Sequence, residues 1–521
     1  MSTRTTTRRV GGRRTSSQAG LGPFLTAVLL GTFTFFVLPA APDPTVLSVT
    51  DVARPVFAGL VVGLTWRGGN DWLRVTAAVL AGGLGTEALA RVGVLPGSVA
   101  LLAVLLAPLT ASVAAVAMER YGSRATQAVA VAGVLGYGLF LSGVVAPRGP
   151  AAAARHAALA APPVPEHYTA AGEVYLRIVD LMKDGQFFYP AYRKAIIGLD
   201  GVEASSMPDP FDLAARHPWS PGTDATAQAT SMPTPFDFRE PFLFHLWKLL
   251  PGSTPYALLV WFVVFGLAAA VCAYLLATAV TTPGPALVAP IALVAYLDSF
   301  WWADGSLAFT LTEVWAAFFA VAALMCLVRQ WRIAGLVLLL MAVAGREFMV
   351  LLVPVWLARW WLGTPHHQRR RTWWEPVVAV AGPVLLVGSA WLMAPATGGP
   401  GATMSRWLHG GVDRLLAAMQ FGWDSTPAPA VVSSAVVALA LFGALLTLPP
   451  ALGRSLPLAV LLPLGFLTLV GPAADGAHWG AAFVPVLIAL APLAAGRWVH
   501  QAGGRSSRTR RTATRRPGPG S

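Results

Sequence analysis

Apolar runs long enough to cross a bilayer recur along nearly the whole chain, and nothing else constrains its fold as strongly. A run of about 18 or more apolar residues reads as a membrane span, because in lipid only a helix satisfies its own backbone hydrogen bonds. Of 521 residues, 55% are hydrophobic and only 12% are charged. A soluble domain needs more polar surface than that. The expected fold is an all-α polytopic membrane protein with about 14 transmembrane or re-entrant helices and one long outer loop containing an amphipathic helix.

The runs fall into two groups. An N-terminal five-span bundle (21–147) comprises 21–41, 53–66, 73–91, 98–117 and 126–146. A C-terminal multi-span bundle (255–498) comprises 255–280, 284–301, 308–328, 332–345, 347–362, 376–394, 430–449, 457–471 and 481–498. The pair 332–345 and 347–362 is short for two crossings and fits a broken or re-entrant hairpin. Between the groups lies a polar segment, 148–254. The first run has an Arg-rich lead like a signal peptide, but its length fits a retained span.

Charge gives the orientation. Connections such as "TWRGGNDWLR", "MERYGSRATQ", "RQWRI" and "ARWWLGTPHHQRRRTWWEP" carry arginine, whereas the alternate connections are mixed or acidic. The positive-inside rule then places both termini in the cytoplasm and residues 148–252 outside, in the plasma membrane of a bacterium. Trp360, Trp361, Trp373 and Trp374 flank the basic loop as interfacial anchors. Much of the net charge of +13 lies in the tails 1–20 and 499–521. Both are read as disordered cytoplasmic segments beside anionic lipid, and no nucleic-acid partner is expected. Cys272 and Cys326 lie in apolar runs and read as core residues, not as a disulfide or metal framework.

The outer segment contains "GEVYLRIVDLMKDGQFFYPAYRKA" at 172–195. Tyr175, Ile178, Val179 and Met182 repeat at helical spacing, Glu173, Arg177, Asp180 and Asp184 take the other side, and Gly185 stops the helix. This amphipathic helix is expected to lie flat at the membrane interface. A carboxylate there is partly desolvated, which suits a general base, so Glu173 and Asp180 are the candidate catalytic residues. Arg239 and Glu240 stand at the approach to the next span, where an arginine can grip a phosphate through two parallel hydrogen bonds. Arg346 and Glu347 interrupt more than twenty apolar residues. Charges so placed face an interior cavity or pair with one another. Glu87 and Arg91 read as a structural ion pair. Asp298, Asp304, Glu313, Asp475 and His478 all fall at expected outer ends of spans, so polar groups from separate helices converge on one membrane face. There is no Walker, HExxH, catalytic-serine or nucleotide-binding motif. No cofactor is named by the sequence, and a divalent metal stays open.

Four stretches together resemble the GT-C superfamily of integral-membrane glycosyltransferases. "GEVYLRIVDLMKDGQFFY" is similar to the family's acidic helix, and "FREPFLFHLWKLLPG" to its basic stretch before a span. "TLTEVWAAFFAVAAL" is similar to its Thr-Glu helix start, and "AGREFMVLLVP" to its Arg-containing break between two short helices. Their order covers roughly 166–362, with a weaker continuation to about 498. Five spans precede the acidic helix, where the family usually has one.

The resemblance implies a polyprenyl-phosphate sugar donor and a glycan, lipid or protein acceptor in the cell envelope. Glu173 then matches the family's acid, Arg239 its basic residue and Arg346 the arginine of the break. Independently of the resemblance, their charge and position make Glu240, Glu313, Glu347 and His478 further substrate- or phosphate-binding candidates. A transporter or flippase of a lipid-linked precursor, or a non-catalytic envelope assembly protein, remains the alternative.

Overall fold

The computed structural model describes residues 21–39, 48–65, 97–145, 153, 154, 157, 170–197, 241–252, 255–302, 307–393, 411–423, 425, 426, 428–446, 455–470 and 476–495. Among these residues there are helices and turns but no strand. In chain order the α-helices are α1 (Leu21–Val37), α2 (Val49–Thr65), α3 (Gly97–Tyr121), α4 (Ser123–Ser142), α5 (Ala170–Lys183) and α6 (Phe188–Ile197). Then come α7 (Phe242–Leu249), α8 (Tyr256–Thr278), α9 (Pro283–Trp302), α10 (Thr312–Arg329), α11 (Arg332–Gly345) and α12 (Val353–Gly363). The last are α13 (His366–Arg369), α14 (Trp374–Met393), α15 (Val412–Gln420), α16 (Pro429–Leu446), α17 (Leu456–Leu469) and α18 (Gly480–Leu490). Helix occupies each apolar run that the described residues include; the run 73–91, with Glu87 and Arg91, lies outside them.

Five helices, α3, α4, α8, α9 and α10, are long and apolar enough to cross a membrane. Their packing separates lipid-facing from protein-facing sides. On α3, Leu101, Leu105, Leu109 and Val113 form an exposed stripe, while Ala103, Ala107, Ala111 and Ala114 are buried. Such a stripe is a liability in water and ordinary against lipid tails. The alanine side receives α2, whose Gly59 and Gly63 repeat at four-residue spacing. A Cβ at either glycine would stand 2.4 Å from a carbonyl oxygen, that of Ala107 or Ala111 respectively. The small residues therefore let two backbones touch. In contrast, α9 is buried continuously from Gly284 to Phe300, and α18 along its whole length. Helices apolar all round belong in the centre of a bundle. These features are those of a membrane-embedded helical protein.

The bundle has two chemically distinct ends. At one, Arg329 Nη2 donates to Leu275 O (2.7 Å) and Thr278 Oγ1 (3.0 Å), closing the C-terminus of α8. Arg332 bonds Glu375 across α11 and α14 at 2.6 Å. This arginine-rich end includes the 364–371 turn. At the opposite end, Tyr256 Oη donates to Val144 O (3.3 Å), Lys183 Nζ to Gly252 O (3.2 Å) and Tyr189 Oη to Ala390 O (3.1 Å). The short helices α5, α6, α7 and α15 gather there, and we call it the capped end.

The amphipathic helix α5 departs from its expected setting. Tyr175, Leu176, Ile178, Val179 and Met182 are buried in protein rather than turned to the interface. The cause is α7. Tyr175 meets Phe244 edge-on at 5.4 Å, Phe244 meets Trp247 at 5.2 Å, and Trp247 meets Trp315 of α10 at 5.6 Å. A ladder of aromatic edges thus seats the polar segment on the bundle, each pair adding about 0.5–1.5 kcal/mol beyond area burial. The α5 helix ends where expected, with Gly185 at φ +96°.

The hairpin 332–362 is broken as expected. At 14 residues, α11 is about 21 Å long, short of the roughly 30 Å hydrocarbon core. Arg346 is extended (φ −152°, ψ 122°), a 3₁₀ helix covers Glu347–Leu352, and α12 runs back. The return brings Trp356 against Gly335, where a Cβ would lie 2.6 Å from the indole.

Candidate functional site

Glu313 is the second residue of α10, and only 1% of it is exposed. A carboxylate in the first turn of a helix is favoured by the aligned peptide dipoles. The helix is fixed there because Trp315 Nε1 donates to Phe309 O at 2.8 Å, tying it to the 3₁₀ turn Ala308–Thr310. Glu313 Oε2 accepts from Thr312 Oγ1 at 3.1 Å. Its other oxygen accepts from Arg346 Nη2, and the two charges form a buried salt bridge.

Arg346 lies at the break between α11 and the 3₁₀ helix. Its backbone N–H donates to Ala342 O (3.0 Å), and its guanidinium carbon lies 4.9 Å from the centroid of the Phe348 ring. The Nε atom is buried and has no hydrogen-bond partner among the described residues. Such an unmet donor costs about 1–3 kcal/mol, which an incoming oxygen acceptor recovers.

His478 completes the cluster from a third segment. It lies in the 3₁₀ turn Gly476–Trp479, with Nε2 3.6 Å from Glu313 Oε1. It is the accessible member, with 26% of its side chain exposed. Behind it, Trp479 stacks on Phe466 at 5.8 Å and packs on Phe348 at 5.6 Å, an apolar wall for the charged group. A guanidinium with spare donors, a fixed carboxylate and an accessible imidazole can together bind an anionic oxygen and move a proton.

The structure therefore brings Glu313, Arg346 and His478 together, although 33 residues separate the first two and the third lies far along the chain. Arg346 does not take its neighbour Glu347 as partner. Glu347 opens the 3₁₀ helix and is half-buried.

One further candidate, Glu173, approaches through the backbone of its neighbour Gly172. A Cβ at Gly172 would stand 2.5 Å from Leu307 Cβ and 3.0 Å from Thr310 Oγ1. The start of α5 thus crosses the turn leading into α10, one residue before Glu173. The side chain of Glu173 lies outside the described residues. Asp180 is half-buried two turns further along α5. Arg239 and Glu240 lie outside the described residues, which resume at Pro241. Close by, Leu243 of α7 stands 3.4 Å from where a Cβ would project at Gly345, beside the break. Asp298 is buried and accepts from Trp301 Nε1 at 3.2 Å, while Asp304, Asp475 and the near-repeat "SMPDPFDL…SMPTPFDF" lie outside the described residues.

Sequence reasoning missed Arg54. It is 2% exposed on α2, its Nε donates to Phe35 O at 3.1 Å, and its guanidinium covers the Phe35 ring at 4.8 Å. Asp51, three residues earlier, is also buried and accepts from Ser48 N and Ser48 Oγ, both at 3.0 Å. The Asp-x-x-Arg spacing just ahead of an apolar run was the available signal.

Comparison with family models, with curated proteins and with solved structures finds no match to this chain.

Proposed function

We propose that this protein is a membrane glycosyltransferase of the GT-C kind. It moves a sugar from a polyprenyl-phosphate donor to a glycan, lipid or protein acceptor in the bacterial envelope, at the outer face of the plasma membrane. The observation that carries the reading is the meeting of Glu313, Arg346 and His478 at the capped end, with Gly172 close to the turn before Glu313 and the Leu243 side chain beside Gly345. All four stretches that carry the family resemblance thus contribute to one region.

In this reading a carboxylate of α5, Glu173 or Asp180, accepts the proton of the acceptor hydroxyl. The hydroxyl oxygen attacks the anomeric carbon. The bond from that carbon to the phosphate oxygen breaks, and its electron pair stays on the lipid phosphate. Arg346, with Arg239, stabilises the charge that develops there. With the capped end at the outer face, as this reading has it, a lipid-borne phosphate reaches the cluster without crossing the core.

A transporter needs polar groups along the bilayer depth. The helix carrying Glu313 instead presents only buried apolar side chains from Val314 to Val328, Ala322 being half-buried. The enzyme reading is therefore favoured.

The test is transfer by purified protein from a panel of polyprenyl-phosphate sugars, with Glu173→Gln and Asp180→Asn as companions. General-base catalysis contributes about 10²–10⁴-fold, so one of the two substitutions is expected to lower the rate by that order. Full activity in both would remove the assignment of the base, and no transfer from any donor would remove the enzyme reading.

A further inference from the structure

The arginine-rich end contains a second charged constellation, separate from the Glu313 cluster. A cleft there is lined by residues of four helices and the turns beside them, among them Gln330, Arg332, Arg359, Trp360, Thr364 and Glu375. Two guanidiniums face one carboxylate, so the lining carries one uncompensated positive charge. Arg332 Nη1 holds Glu375 Oε1 at 2.6 Å, and Glu375 is almost wholly buried. Arg359 interacts electrostatically with both. Its Nε is buried and has no hydrogen-bond partner among the described residues.

The position of Arg359 depends on a glycine. A Cβ at Gly363 would fall 1.4 Å from Arg359 Nη1, so the guanidinium lies directly over a residue with no side chain. The surroundings are those of a membrane–water boundary. Trp361 and Trp373 are exposed, and the neighbouring turn carries His366, His367, Arg369, Arg370 and Arg371. Arg369 is already occupied, donating to Trp361 O (2.6 Å) and Thr364 O (3.0 Å). Arg359 is thus a cation of the cleft with donor capacity to spare, and Arg332 beside it is engaged through Nη1.

We propose that this cleft is a binding site for a phosphate ester, with Arg359 as its principal ligand and Arg332 as the second cation. A guanidinium and a phosphate pair through parallel charge-assisted hydrogen bonds. One phosphate diester carries the single negative charge that the lining lacks. Basic pockets between helices at this boundary suit anionic lipid headgroups, and the same chemistry admits free phosphate. The site does not depend on the proposed transfer reaction.

The experiment is thermal unfolding of the full-length protein in neutral detergent, titrated in one arm with phosphatidylglycerol and in another with inorganic phosphate. Wild type is compared with Arg359→Gln, Gly363→Ala and the double variant Arg370→Gln/Arg371→Gln. A ligand that binds only the folded form raises Tm with concentration. Loss of one charge-assisted contact is expected to weaken the response about ten- to hundredfold in Arg359→Gln. A comparable loss is expected in Gly363→Ala, which keeps the charge and displaces the guanidinium. The double variant removes two exposed charges and is expected to respond like wild type.

A response to lipid alone identifies a headgroup site, and a response to both ligands a general phosphate site. The proposal is overturned if wild type responds to neither ligand. It is equally overturned if Gly363→Ala responds like wild type, or if the Arg370/Arg371 variant loses as much as Arg359→Gln. Should Arg359→Gln fail to fold, Gly363→Ala decides alone.

Discussion

At the scale of single residues, the central question is why Glu313 and Arg346 tolerate burial. Removing two charges from water is expensive, and a pair that loses one member leaves the other stranded. Glu313→Gln and Arg346→Met are each expected to destabilise the protein by about 3–5 kcal/mol, read as loss of unfolding free energy in detergent. The double variant Glu313→Leu/Arg346→Met should regain most of that loss, because well-packed apolar side chains replace a buried pair at little cost. If the pair served structure alone, transfer activity would return with stability. We expect the stability to return without the activity.

The charged residues were individually legible, since an arginine or glutamate in an apolar run has to find a partner. The partner was not. Sequence proximity favoured Glu347, and only the extended conformation at Arg346, between two short helices, turned the side chain to Glu313. Arg359 was illegible for a similar reason. It reads as one more positive charge on the cytoplasmic side, and its seat over Gly363 and beside Arg332 and Glu375 of other helices appears only once those helices are packed.

Among the helices, small residues set the closest approaches. Gly63→Leu on α2 would push its side chain into the Ala111 backbone, where the first carbon already meets oxygen at 2.4 Å. Overpacking of this kind costs about 1–3 kcal/mol. Gly136→Ala on α4 is the matched control, because its Cβ meets nothing within 4 Å. Thermal unfolding should separate the two, with Gly63→Leu lowered and Gly136→Ala unchanged or slightly raised, since alanine favours helix over glycine by about 0.5–1 kcal/mol.

Hydropathy placed α2 and α3 well, but the Gly59/Gly63 contact with the alanines of α3 is a matter of facing, which a run of apolar residues does not declare. The reverse held for α5. Its period and its Gly185 stop were plain in the sequence, whereas its setting was not. A stripe of Tyr, Ile, Val and Met fits lipid or protein equally, and the aromatic ladder through Phe244 and Trp247 to Trp315 decides for protein.

Taken as a whole, the molecule is a lipid-facing bundle with opposite chemistry at its two ends. One end is held by arginines that close helix termini and pair across helices. The other is covered by short helices seated over an acidic, cationic and imidazole cluster. Membrane class and helix content followed from hydrophobicity because a bilayer leaves the backbone few choices. The enclosure of the cluster by α5, α7 and α15 came from contacts between segments far apart in the chain.

The most direct test of the account is a structure of the protein in a lipid nanodisc with a polyprenyl phosphate bound. The account predicts phosphate density within hydrogen-bonding reach of Arg346 and close to His478, at the end covered by α5. Phosphate bound at the capped end but remote from Arg346, or a nanodisc structure with the 148–252 segment on the cytoplasmic side, would contradict it.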